Sequence, residues 1–172
     1  MVAALAGDAA GAMSAATRGI STDPGWSYGF LGSYQRLGLC WARASFGDKP
    51  AEMATAAEQI IATTMENPPR SGLPTWCCLV AEMQLVAGEL DKAALTLDKV
   101  DRYLTSYGQR YAEGFLLLLR AQLMPARGVP TALVRSAAQR ARAVSIERGA
   151  HLFARRADAF LAELKTDSEQ PG

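Results

Sequence analysis

Long apolar runs are missing from this chain. The leucine-rich "FLLLL" at 115–119, like every other uninterrupted apolar stretch, falls far short of the roughly 20 residues a bilayer-spanning helix needs. The start, "MVAALAGDAAGAMSAA", has no basic opening, and Asp8 interrupts its small apolar residues, so neither a secretory signal nor a membrane anchor is expected. Cysteine is scarce: Cys40 and the adjacent pair Cys77 and Cys78. That spacing is neither a disulfide framework nor a metal set, and a reducing, cytoplasmic setting is the expectation. Histidine occurs once, at His151, with no serine or cysteine assignable to it by spacing as a nucleophile. No G-x-S-x-G, H-E-x-x-H or G-x-G-x-x-G is present, so a non-enzymatic chain without metal or cofactor is the reading.

Net charge is also nearly absent, at +1, which excludes a global field for nucleic acid or membrane. The charges are unevenly placed. Residues 1–101 hold 7 basic and 11 acidic side chains, whereas 120–156 hold eight arginines against Glu147. Nucleic-acid binding through Arg135, Arg140, Arg142, Arg148, Arg155 and Arg156 is the least favoured reading. Arg135 and Arg142 share a helix face, but Arg140 and Arg148 turn away from it.

What is present is glycine at a regular pitch. "LAGDAAGAM" (5–13), "SFGDKPAEM" (45–53), "VAGELDKAA" (86–94) and "PARGVPTAL" (125–133) place Gly7, Gly47, Gly88 and Gly128 at separations of 40, 41 and 40 residues. Four or five positions after each lies Ala12, Ala51, Ala93 or Ala132; seven before the last three lie Cys40, Ala81 and Ala121. Glycine ends a helix by taking the left-handed conformation, and small residues on both sides let two helices approach. Asp48 reads as an N-cap, with Pro50 in the first turn of the next helix.

Helical periodicity flanks every glycine. Trp76, Val80, Met83 and Ala87 precede Gly88; Leu90, Ala93, Ala94, Leu97 and Leu104 follow it. "STDPG" (21–25), "ENPPRSGLP" (66–74) and "SYG" (106–108) read as loops. The expectation is an all-α chain, an α-solenoid of antiparallel, tetratricopeptide-like helix pairs with a repeat of about 40 residues. It forms one domain over 1–165, closed by a capping helix near 150–164, with a flexible tail over 166–172. The first glycine lies so early that the chain is expected to begin on the second helix of a pair. This leaves an exposed N-terminal edge for a homodimer to use.

The order of these segments resembles one bacterial group. "LAGDAAGAM" leads to "WSYGFLGSYQRLGLCWARASFGDKPAEM", then to "LPTWCCLVAEMQLVAGELDKAALTLDKV" and "YAEGFLLLLRAQLM". "SAAQRARAVSIERGAHLFARRADAFLAEL" is the most specific stretch. Together they resemble the C-terminal tetratricopeptide-like repeat region of LuxR-type transcriptional regulators, adenylate or guanylate cyclases and STAND-class signalling ATPases. The resemblance implies a sensor or scaffold arm of a signalling or transcription system. The switch and output parts of such proteins have no counterpart here: "GxxxxGK", a helix-turn-helix signature and cyclase carboxylates are all lacking.

Function is therefore expected in binding. The first helix of each pair should line a concave wall, and offsets from the turn glycines place Tyr34, Trp41, Thr75, Cys78, Glu82, Phe115, Leu118 and Gln122 on it. Trp26, Tyr28 and Tyr107, near loops, are weaker candidates. A protein or peptide partner held in that groove is the leading reading; a small-molecule effector sensed in the same groove is the alternative.

Overall fold

The computed structural model describes residues 1–25, 29–66 and 71–169. Among them are nine α-helices and no strand: α1 Val2–Ala6, α2 Ala9–Thr22, α3 Gly29–Ser45, α4 Pro50–Thr64, α5 Leu73–Val86, α6 Leu90–Tyr107, α7 Glu113–Leu123, α8 Thr131–Glu147 and α9 His151–Glu169. The last helix runs past 164, through the first residues expected as tail. Consecutive helices pack against each other throughout.

The four glycines make the same turn. Their φ values lie between +71° and +82°. At Gly47 the glycine N–H donates to the Ala44 carbonyl at 2.9 Å and the Asp48 N–H to the Arg43 carbonyl at 3.0 Å. Equivalent bond pairs close the turns at Gly7, Gly88 and Gly128, and again at Gly149 before α9. Each satisfies two carbonyls that a helix end leaves without a partner. The pitch read from the sequence is thus a pitch of one backbone motif.

Three details differ from expectation. Asp48 is no cap: its carboxylate accepts from Arg43 Nε at 2.6 Å, and Lys49, at φ +47°, precedes Pro50 as the N-cap. The capping aspartate is Asp8, which accepts from the Gly11 N–H at 2.8 Å. Ala12 and Ala93 are buried, but Ala51 and Ala132 are exposed. Positions four and five beyond a glycine lie about 100° apart on a helix, so they cannot share a face; Ala54 and Val134 take the buried places. Finally, the first pair has both members, because α1 precedes Gly7.

Burial differs among the helices. The even-numbered ones bury a stripe, as α6 does with Ala93, Leu97, Val100 and Leu104, the spacing of one helix face. In contrast α5 buries ten of its fourteen residues, because it meets α3, α4, α6 and α7 at once. The odd-numbered helices form the inner layer. They touch in the order α1, α3, α5, α7 and α9, and α9 returns to α1. Phe115 of α7 and Phe153 of α9 anchor this layer, stacked at 4.7 Å with planes 12° apart. No helix of the described residues is long and apolar enough to cross a membrane.

Candidate functional site

The closed circuit of inner helices changes what the expected groove can be. Trp41, Thr75, Cys78, Phe115 and Leu118 are buried, so they belong to the core between layers and not to an open wall. The physical reason is the contact of α1 with α9 and α3: inner helices that touch around the circuit turn their facing side chains onto one another. Tyr34, Glu82 and Gln122 remain half-buried. Tyr34 lies elsewhere, its ring 5.0 Å from that of Trp76. Leu118 packs in a separate small cluster with Ala141 and Ala157. Trp26 and Tyr28 fall outside the described residues. Tyr107 is partly exposed and packs 5.4 Å from Tyr103.

Trp41, Glu82 and Phe115 do converge, and they converge on Arg156. Trp41 Nε1 on α3 donates to Glu82 Oε2 on α5 at 2.7 Å. Arg156 Nη2 on α9 donates to the other oxygen, Glu82 Oε1. The Arg156 guanidinium carbon sits 4.6 Å from the centre of the Phe115 ring on α7. Side-chain exposure is 11% for Arg156 and 15% for Glu82, so both charges are largely removed from water. Such a pair survives only when further contacts offset desolvation; the indole N–H and the ring face are those contacts. Arg156 Nη1 nevertheless has no acceptor among the described residues although it is buried. One inner charge thus links four of the five inner helices, and the fifth is close: a Cβ on Gly7, at the end of α1, would stand 3.6 Å from Arg156 Nε.

Beside this network a cleft of about 380 Å³ opens between α1, α7 and α9. Gln122, Arg155, Arg156, Ala159, Phe160 and Glu163 line it, with Ala6 and Gly7 at the α1 end. Gln122, a member of the expected wall, lines this hollow. Arg155 and Glu163 make no ion pair among the described residues.

The other polar groups are mostly engaged. Arg142 pairs with Asp158 at 2.6 Å, Arg148 with Glu113 at 3.0 Å, and Arg135 Nη2 donates to the Leu164 carbonyl at 3.2 Å. Arg156 turns inward to Glu82. Glu113 also accepts from Arg110, and that bond, with the Arg148 contact, holds its carboxyl below the usual range. Burial pushes the Cys77 thiol up to about 12 and that of Cys78 well above its ordinary value. Both are therefore poor nucleophiles in the fold. His151 is exposed at the start of α9. No group of three or more His, Cys, Asp or Glu residues suited to a metal occurs among the described residues.

The residue that sequence reasoning missed as a centre is Arg156, weighed there only for nucleic acid. Its signal was a charge set within the apolar run of Phe153, Ala157 and Phe160, at helical spacing. No protein family, curated protein or solved structure matches the chain.

Proposed function

We propose that the chain is a tetratricopeptide-like repeat module that binds a protein or peptide without transforming it, the arm of a bacterial signalling or transcription regulator. The observation that carries this reading is the recurrence of one glycine turn every 40 or 41 residues. Repeats of this kind bury their core between neighbours and leave the rims of the stack for recognition. The partner surface is moved from the inner wall, which the chain fills with its own side chains, to the mouth of the α1–α7–α9 cleft. There Gln122 and Arg155 supply hydrogen-bond donors. A second copy docking at the N-terminal edge would have to meet α1 where it lies on α9.

Site-specific photocrosslinking in cells tests the reading. A benzophenone amino acid at Gln122 or Ala159 is expected to give one discrete adduct, absent when the same group replaces exposed Arg140 on α8. Adducts that are identical from all three positions, or none from the cleft, would contradict it.

A second reading is a small-molecule sensor. It is favoured by one specific feature, a largely buried arginine, Arg156, that lines a hollow of small-molecule size and has one nitrogen without an acceptor among the described residues.

A further inference from the structure

The charges around the α1–α7–α9 cleft are not equivalent. Arg156 is already neutralised by Glu82, yet keeps one buried N–H group without an acceptor. Its neighbour Arg155 carries a charge with no partner among the described residues and lines the same hollow. At the other end of the hollow stands Glu163, seven residues beyond Arg156 and so about 10 Å along the helix axis. Its carboxylate likewise makes no ion pair. Between the two ends lie Ala159 and the half-buried Phe160, an apolar strip. Gln122 of α7 adds an amide at the side.

From this arrangement we propose that the cleft binds a small zwitterion, its carboxylate on the guanidinium groups of Arg155 and Arg156, its cationic group on Glu163, and an apolar spacer along Ala159 and Phe160. The proposal rests on the sensor reading and names the class of ligand for it. Electrostatics argue for both ends together. A dianion would meet Glu163 and a plain amine would meet Arg155. A neutral apolar ligand would leave both charges facing a partly desolvated hollow, which is unfavourable. The carboxylate end is the stronger anchor, because arginine donors make charge-assisted bonds to carboxylates. The volume, about 380 Å³, suits a molecule the size of an amino acid or a dipeptide.

The same geometry couples the cleft to the inner layer. A carboxylate drawn to Arg156 shares its guanidinium with Glu82, and Glu82 accepts the Trp41 indole N–H on its second oxygen. Occupation of the cleft is thus felt at Trp41 on α3, a helix that does not line the cleft. That is the differential contact a sensor requires.

Indole N–H signals in ¹H–¹⁵N NMR read this directly, with the Trp41 signal assigned by its loss in Trp41→Phe. The probes are 6-aminohexanoate, hexanoate and hexylamine, titrated into the full chain at constant salt. The expected result is a saturable shift of the Trp41 signal with 6-aminohexanoate, with hexanoate binding at least fivefold more weakly and hexylamine giving no saturable shift. Arg155→Gln and Glu163→Gln, both at exposed positions, should each weaken the zwitterion at least fivefold, and Glu163→Gln should bring hexanoate level with it. No saturable shift, equal binding of hexanoate and 6-aminohexanoate to the unaltered chain, or wild-type affinity in both variants overturns the proposal. A cleft-specific photocrosslink to a protein that persists in that event leaves the partner-binding reading intact, so the two fail separately.

Discussion

Arg156 and Glu82, 74 positions apart in the chain, form an ion pair that ties the last inner helix to the central one. The pair is useful less for its energy than for its location. Isolated from water, two charges gain little over two well-packed apolar groups, but a single survivor is costly.

Removing both partners should therefore cost less than the two single removals added together. Arg156→Gln and Glu82→Gln are each expected to destabilise the fold by roughly 3 kcal/mol, and the double variant by clearly less than their sum. Urea midpoints of the four proteins give the coupling. A coupling near zero would mean that the two side chains do not meet in solution.

The turn glycines make a second test. Gly88 has open space where a Cβ would go, so only backbone conformation opposes a side chain there. Gly88→Ala should cost about 1–2 kcal/mol, the penalty of a left-handed L-residue. Gly88→Asn should cost less than Gly88→Val. Thermal unfolding of the three variants orders them.

Gly114 on α7 is governed by contact and not by φ. A Cβ there would come within 2.9 Å of the Ser145 Cα on α8, a backbone atom that cannot rotate away. Helix propensity alone favours Gly→Ala by about 1 kcal/mol, whereas overpacking a tight contact costs about 1–3 kcal/mol. Overpacking wins, so Gly114→Ala should lower stability. A rise in melting temperature would show that α7 and α8 are further apart.

Glu113 provides the acid-side prediction. Its pKa is lowered in the fold, first by the hydrogen bond from Arg110 and then by Arg148. A lowered carboxylate pKa adds stability that is fully present above the unfolded value, near 4.3, and is lost as pH falls through the lower folded value. Wild type should accordingly lose more stability between about pH 5 and 3 than Glu113→Gln does. Arg110 is well exposed, so solvent screening keeps the difference small. Parallel curves would remove the assignment.

Architecture was legible in the sequence because one residue type carries it. Glycine at a turn is a local necessity, and four of them at a fixed pitch announce paired helices before any contact is known. The helix faces were legible for the same reason where one stripe is buried, as along α6. They were not legible for α5, where apolar residues surround the helix and periodicity has no direction to report. Cap chemistry failed at Asp48, since the same carboxylate serves Arg43 equally well and sequence cannot rank the two. The candidate site was half visible. Offsets from the glycines picked out Trp41, Glu82 and Phe115, which do face one another, but the partner that joins them arrives from α9. Nothing local to residues 34–122 announces that a helix beginning at His151 will lie beside α1. Closure of the inner layer is a long-range property, and it turns an expected open wall into a core.

That closure is tested most directly by one distance. Spin labels at Val2 on α1 and Ala162 on α9, both exposed, can be placed in a chain carrying Cys40→Ala and measured by double electron–electron resonance. Helices in contact lie 8–10 Å apart, so with label arms a single narrow band below roughly 25 Å is predicted. A band centred near 40 Å, the span of four successive inner-helix spacings laid side by side, would contradict it.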